Sequence, residues 1–99
     1  MNDEERTEYE DVLTLFKLDL GISHTKRDVY FHSLLHAVDK ELQEKGIRLD
    51  TGNVEDQMLL CDYALWRYRN REQNLPLAMH LRLRIMNRKT KRRAEDVKG

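Results

Sequence analysis

The sequence is organised around Asn53–Pro76, NVEDQMLLCDYALWRYRNREQNLP, which holds the only Trp, the only Cys and the only Pro of the chain. One helical face is indicated by apolar residues at Val54, Met58, Cys61, Leu65 and Tyr68. Further apolar side chains widen this face at Leu59, Leu60, Tyr63, Ala64 and Trp66. A helix that is apolar over so much of its circumference belongs inside a bundle, so the stretch predicts a central helix at about 54–72, with Cys61 in the core.

Two helices are predicted before the central one, at about 8–18 and 26–45, each opened by a capping box. The boxes are formed by Thr7 with Glu10 and by Thr25 with Asp28. The second helix has a clear apolar face, made of Phe31, Leu34, Leu35, Val38 and Leu42. Gly46 is placed to end that helix as a C′ glycine, and Asn53 is the expected N-cap of the central helix.

The segment after the central helix fits two patterns. Residues 77–85 alternate apolar and polar side chains, which is typical of a strand. Leu77, Leu81 and Ile85 also align at helical spacing, and Pro76 suits the first position of a helix. Because the rest of the chain is helical, we predict a last helix at about 76–88.

The predicted fold class is therefore all-α, a small bundle of about four helices in a single domain, 1–99. Residues 1–6 and about 90–99 have no apolar periodicity and are predicted to be disordered, the latter as a flexible basic tail. No stretch is long and apolar enough for a membrane span, so the sequence predicts no membrane contact.

The charged residues are divided unevenly along the chain, although the formal net charge is zero. Residues 1–66 carry seven Lys and Arg against fifteen Asp and Glu, while residues 67–93 carry ten against one. Such a split favours head-to-tail assembly or an acidic partner for the basic part, and a solvated basic tail is the alternative. The candidate residues for contact with a partner or with DNA are Arg67, Arg69, Arg71, Arg82, Arg84, Arg88, Lys89, Lys91, Arg92 and Arg93.

Catalytic and cofactor chemistry is not expected from this sequence. The glycines are scattered, so no phosphate-binding loop can be formed, and no serine stands in a nucleophile-elbow frame. His32 and His36 lie one helical turn apart and could hold a metal, but the acid of an HExxH motif is missing. The sequence therefore predicts no enzyme and no cofactor, with those two histidines as weak metal candidates.

The order of these segments resembles the small head–tail connector proteins of tailed phages, the adaptor or head-completion family. The resemblance extends from about residue 8 to 89 and joins LFKLDLGIS (15–23), DVYFHSLLHAVDKELQEKG (28–46), DYALWRYRNREQNLP (62–76) and LPLAMHLRLRIMNRK (75–89). Its most specific part is the aromatic-rich helix that runs into YRNRE and then Leu-Pro.

The resemblance implies a structural role without catalysis. Members form a ring, usually of twelve subunits, beneath the portal vertex after genome packaging, extend the DNA channel and present a surface to a stopper or tail-completion protein. It implies portal protein as a partner, contact with double-stranded DNA in the channel, and a location in the virion after assembly in the host cytoplasm. From the residues alone, a small DNA- or RNA-binding protein that acts through its basic C-terminal segment is the alternative.

Overall fold

The structure, a computed structural model, describes the backbone of residues 3–98 and the side chains of residues 9–91. Within residues 3–98 it contains four α-helices and no strand. They are α1 (Asp3–Leu20), α2 (Asp28–Glu44), α3 (Val54–Arg69) and α4 (Met79–Lys98). The predicted all-α class and the small four-helix bundle are confirmed, and residues 79–85 are helix rather than strand.

Two glycines in the left-handed conformation end the first two helices. Gly21 has φ 72° and Gly46 has φ 85°. After each glycine the next amide turns back to bond the helix, with Ile22 N donating to Lys17 O and Ile47 N donating to Leu42 O, both at 2.9 Å. These are Schellman motifs, and Ile47 is buried as the apolar contact of the second one. The predicted role of Gly46 is confirmed.

The predicted starts of α1 and α2 were wrong. Helix α1 begins at Asp3, well before the Thr7 box, since the acidic residues upstream suit the first turn of a helix. At α2 the Thr25 carbonyl accepts a bond from Asp28 N at 3.2 Å, forming a turn, and Arg27 becomes the N-cap without a side-chain cap bond. The Asn53 cap of α3 is confirmed, because its side chain accepts a bond from Asp56 N at 3.1 Å.

The junction between α3 and α4 also differs from the prediction. Helix α3 ends at Arg69, and both amides of its C-cap residue Asn70, from the backbone and the side chain, donate to Trp66 O, at 3.1 and 2.8 Å. Pro76 lies in the connecting segment before α4 and does not take a helical position. Helix α4 instead begins after Ala78, whose carbonyl accepts the amides of Leu81 and Arg82.

Helix α4 continues past the predicted end at residue 88 as far as Lys98. The residues after Arg88 are mostly Lys, Arg, Ala and Glu, which are good helix formers, so the helix does not need an apolar face to continue. The predicted disorder of residues 1–6 and 90–99 stays a prediction; Met1, Asn2 and Gly99 lie outside the described residues.

The hydrophobic core is formed mainly by the first three helices. Helices α1, α2 and α3 all pack against one another, whereas α4 packs against α3 alone among the described helices. Completely buried side chains include Val12, Phe16, Phe31, Leu35 and Leu42. The predicted core face of α2 is confirmed, with Leu34 only partly buried, and so is the burial of Cys61.

The predicted core face of α3 needs a correction at three positions. Val54 is 70% exposed and Met58 41% exposed, while Trp66 is only half-buried. The core face of α3 is centred on Leu60, Tyr63 and Ala64, which were predicted as its widened part and are buried. The first turn of α3 therefore leaves apolar side chains outside the core, next to α4.

Candidate interaction surfaces

Five of the eight basic side chains that were selected from the sequence and that the structure describes make ion pairs within the subunit. Arg67 pairs with Glu41 at 2.7 Å and Arg69 pairs with Asp19 at 2.5 Å. On α4, the pairs are Arg84–Asp62, Arg88–Asp56 and Lys91–Glu55. Folding therefore places part of the basic second half on the acidic first half. Much of the opposite charge in the two halves of the chain is therefore used in ion pairs within the subunit.

The strongest of these pairs joins Arg88 of α4 to Asp56 of α3. Arg88 Nε donates to Asp56 Oδ1 at 2.8 Å and Nη2 donates to Oδ2 at 3.0 Å, a bidentate arrangement. The backbone amide of Asp50 donates to the same carboxylate at 2.8 Å. Burial raises the pKa of Asp56, but the bonds from Arg88 and Asp50 outweigh burial, so that its pKa lies below the usual 3.8.

Two weaker pairs extend this contact along the antiparallel helices α3 and α4. Arg84 Nη1 donates to Asp62 at 2.7 Å, and Lys91 Nζ lies 3.9 Å from Glu55. Beside these ion pairs, α4 buries the apolar side chains of Leu81 and Ile85. Helix α4 is thus attached to α3 by a narrow apolar strip with ion pairs beside it.

The opposite face of α4 carries a second row of apolar side chains. Met79, Leu83 and Met86 are spaced i, i+4, i+7 and are 62%, 52% and 63% exposed. Arg82 and Lys89 lie beside this row; both are exposed and make no ion pair with the described side chains. We call Met79, Leu83, Met86, Arg82 and Lys89 the outer face of α4. The outer face was not predicted from the sequence. On a helix, however, the apolar–polar alternation of residues 77–85 indicates two apolar faces.

An open cavity of about 400 Å³ lies between α3 and the second half of α4. The exposed Val54 and Met58 line it from α3, and Arg84, Asn87 and Lys91 line it from α4. Its charged lining includes the ion pairs of Arg88 with Asp56 and of Lys91 with Glu55.

A separate cluster of two arginines and aromatic rings lies at the other end of the bundle. The Arg27 guanidinium lies 5.6 Å and that of Arg71 lies 4.1 Å from the centroid of the Tyr68 ring. Arg27 Nη1 also donates to the Tyr68 hydroxyl at 2.8 Å, and Arg71 Nη1 donates to the Tyr68 carbonyl at 2.6 Å. Tyr30 is the exposed ring of this group, 4.9 Å from the Arg27 guanidinium. Only Arg71 had been selected from the sequence.

The two histidines considered for a metal contact an aromatic ring. His32 is buried and His36 is exposed, and both meet Tyr9 edge-on, at 5.4 and 5.8 Å between ring centroids. Among the described side chains, no group of three or more His, Cys, Asp or Glu is placed to hold a metal ion. Burial is the main cause that raises the pKa of the Cys61 thiol to about 12, so the thiol is protonated at neutral pH.

Arg92 and Arg93, the last two selected residues, lie on α4 where side chains are outside the described part. None of the helices within residues 3–98 is both long and apolar enough to cross a bilayer. Comparison with known proteins gives no family model, no curated protein and no solved structure that matches this chain. The resemblance to phage connectors therefore stays a prediction.

Proposed function

We propose that this chain is a structural head–tail connector subunit, which assembles as a ring on the portal vertex, extends the DNA channel and joins head to tail components in the virion. The observation that carries the proposal is the outer face of α4. A helix that folds against one neighbour with Leu81 and Ile85, and turns Met79, Leu83 and Met86 to the outside, has the second apolar face that an assembly contact requires.

Charge complementarity supports contact between copies of the chain. The basic residues Arg82 and Lys89 flank the outer face of α4. The exposed side of α1 has the opposite character, with Glu10 and Asp11 on the same side as Leu18, which is 72% exposed. Contact of α4 in one subunit with α1 in the next is heterologous, and a heterologous contact closes into a ring when its rotation allows. The same face suits docking on portal protein or on a stopper.

The test is assembly of the wild-type protein and of a charged variant, alone and with a portal ring, followed by native mass spectrometry and electron microscopy. Leu83→Glu with Met86→Glu places two charges on the outer face, at positions exposed enough for the subunit to stay folded. We expect this variant to lose the ring and portal binding while its circular dichroism is unchanged. Val29→Glu, at an exposed apolar position on α2, is the matched control and should assemble normally.

Two results would contradict the proposal. Wild-type protein that neither forms rings nor binds portal would remove the connector function. Normal assembly of the doubly charged variant would show that the outer face of α4 is not the contact.

Nucleic-acid binding through the basic C-terminal segment is the second candidate. Arg82 and Lys89 favour it, because their charges are not neutralised by the described side chains. Salt-sensitive, sequence-independent binding to duplex DNA is expected in that case. Removal of all residues after Asn87 would also remove Arg88, which holds α4 on α3. Arg82→Gln with Lys89→Gln is the cleaner test, and undiminished binding by that variant would end this alternative.

A further inference from the structure

Arg27 and Arg71 differ from the other arginines of the bundle in what holds them. Arg67, Arg69, Arg84 and Arg88 each pair with a carboxylate. Arg27 is held instead by a phenol and by the rings of Tyr30, Phe31 and Tyr68, and Arg71 by a ring face and a carbonyl. These contacts fix the position of each guanidinium without neutralising its charge.

Two of the three acidic residues near this cluster are paired with other cations. Asp28 next to Arg27 bonds Lys17 at 2.8 Å, and Asp19 on the adjoining helix end bonds Arg69. Glu72 follows Arg71 along the chain but makes no ion pair with it or with any other described side chain. Two positioned charges at one ring therefore remain open to an anion from outside.

The aromatic part of the cluster adds a second recognition element. Tyr30 is 43% exposed, and its ring meets Phe31 and Tyr68 edge-on, at 5.9 and 6.2 Å. Packing against these rings limits its motion, so a flat partner can stack on it with little loss of entropy. Exposed aromatic rings beside arginines are the elements with which proteins bind single-stranded nucleic acid, the rings for bases and the arginines for phosphates.

We propose that Arg27, Tyr30, Tyr68 and Arg71 form a binding site for a single-stranded nucleic acid, in which Arg27 and Arg71 contact neighbouring phosphates and a base stacks on Tyr30. Duplex DNA is a poorer ligand because its bases are already stacked on one another. An acidic protein segment would use the arginines but would gain nothing from the exposed ring. The site shares no residue with the outer face of α4 and does not depend on the assembly proposed above.

The experiment is fluorescence anisotropy with a labelled oligodeoxythymidine of about 20 nucleotides, longer than the usual site size of one small domain. Wild-type protein at low salt should bind with a Kd in the range of about 1–100 μM, typical of binding without sequence preference. Arg27→Gln with Arg71→Gln should weaken binding at least about tenfold and lower the slope of log K against log salt by about 1.4, for two lost phosphate contacts. Tyr30→Leu should weaken binding about fivefold or more while leaving the salt slope unchanged.

The matched control is Lys40→Gln with Arg48→Gln, which removes the same charge from exposed positions on α2 and in the loop after it and should change the affinity less than twofold. Circular dichroism and the thermal midpoint of each variant show whether it is folded. If the variant with both Arg27→Gln and Arg71→Gln unfolds, Arg71→Gln alone replaces it, because Arg71 is exposed. The single variant should lower the slope of log K against log salt by about half as much.

Four results would overturn the proposal. They are no binding by the wild-type protein, an equal loss in the control variant, binding of a duplex as tight as that of the single strand, and competition by polyglutamate as strong as by unlabelled oligonucleotide. The last would assign the cluster to an acidic protein. A monomeric wild type that binds the oligonucleotide would refute the assembly proposal and leave this one intact.

Discussion

The first three helices and the last helix are held in different ways. Helices α1, α2 and α3 meet through completely buried side chains such as Phe16, Phe31 and Leu35. Among the described side chains of α4, only Leu81 and Ile85 are buried and apolar, and a row of ion pairs joins the helix to α3. The first three helices also share ion pairs, but their apolar core is insensitive to salt and pH, whereas the attachment of α4 relies on its ion pairs and depends on both.

Among the described side chains, ion pairs between helices are most numerous where the apolar contact is narrow, between α3 and α4. Because α4 contacts a single neighbouring helix through a narrow strip, most of its surface is not covered by the described helices. That uncovered surface includes apolar residues. Ion pairs give α4 a defined position on α3 without covering it. Helix α4, which has the surface suited to partners, is thus the helix whose attachment relies most on ion pairs. Three substitutions test this contrast between α4 and the core of the first three helices.

Loss of a core side chain should have the largest effect. Phe16→Ala removes a completely buried ring that packs 5.0 Å from the ring of Phe31, and we expect a loss of about 3–5 kcal/mol in the free energy of unfolding. Urea denaturation measures it. Leu18→Ala on the same helix, at a 72% exposed position, is the control and should change stability by less than about 0.5 kcal/mol. Equal effects of the two would mean that the core has been assigned to the wrong face of α1.

Loss of the buried ion pair should come second. Arg88→Met leaves the Asp56 carboxylate buried without its guanidinium, and we expect a loss of about 1.5–3 kcal/mol near pH 7, with Arg82→Met as the surface control. The folded-state pKa of Asp56 is depressed, so its contribution is complete above 3.8 and disappears as the pH falls through the lower, folded value. The difference between wild type and Arg88→Met should therefore shrink below about pH 4. A difference that is constant down to pH 2 would contradict this assignment.

Loss of the half-exposed pair should have the smallest effect. Arg84 and Asp62 are 38% and 35% exposed, so Arg84→Ala should cost only about 0.2–1 kcal/mol, and less in 1 M salt, where the Debye length is about 3 Å. A double-mutant cycle with Asp62→Ala isolates the pair. Hydrogen exchange should show high salt loosening residues 79–91 while residues 28–44 are unchanged, and the reverse order would refute the contrast.

The fold could be predicted from the sequence where one strong signal acted alone. The apolar face of α2 and the Gly46 terminator are local patterns, and both are confirmed. On α3 apolar residues occur almost all round the helix, so the pattern could not tell Val54 and Met58 from the residues that meet α1 and α2. That choice is made by the packing of three helices, which no local periodicity contains.

The candidate surfaces were harder to predict. Most of the basic residues of these surfaces were selected from the sequence, but their acidic partners could not be predicted. The ion pairs join residues such as Asp56 and Arg88, which lie far apart in the chain. Arg27 was not selected because it lies among polar residues of a turn. Its position in the cluster depends on contact with Tyr68, which is also distant in sequence. Distant pairings of this kind exist only once the helices have packed.

The single cysteine has a practical consequence. Cys61 is buried in α3 and its thiol is protonated at neutral pH, so a maleimide or a disulfide reagent cannot reach it while the bundle stays closed. A cysteine introduced at an exposed position, such as Ser33 or Thr90, could carry a fluorophore or a spin label without removal of the native residue. Distances between labelled copies could then be measured in an otherwise unaltered protein.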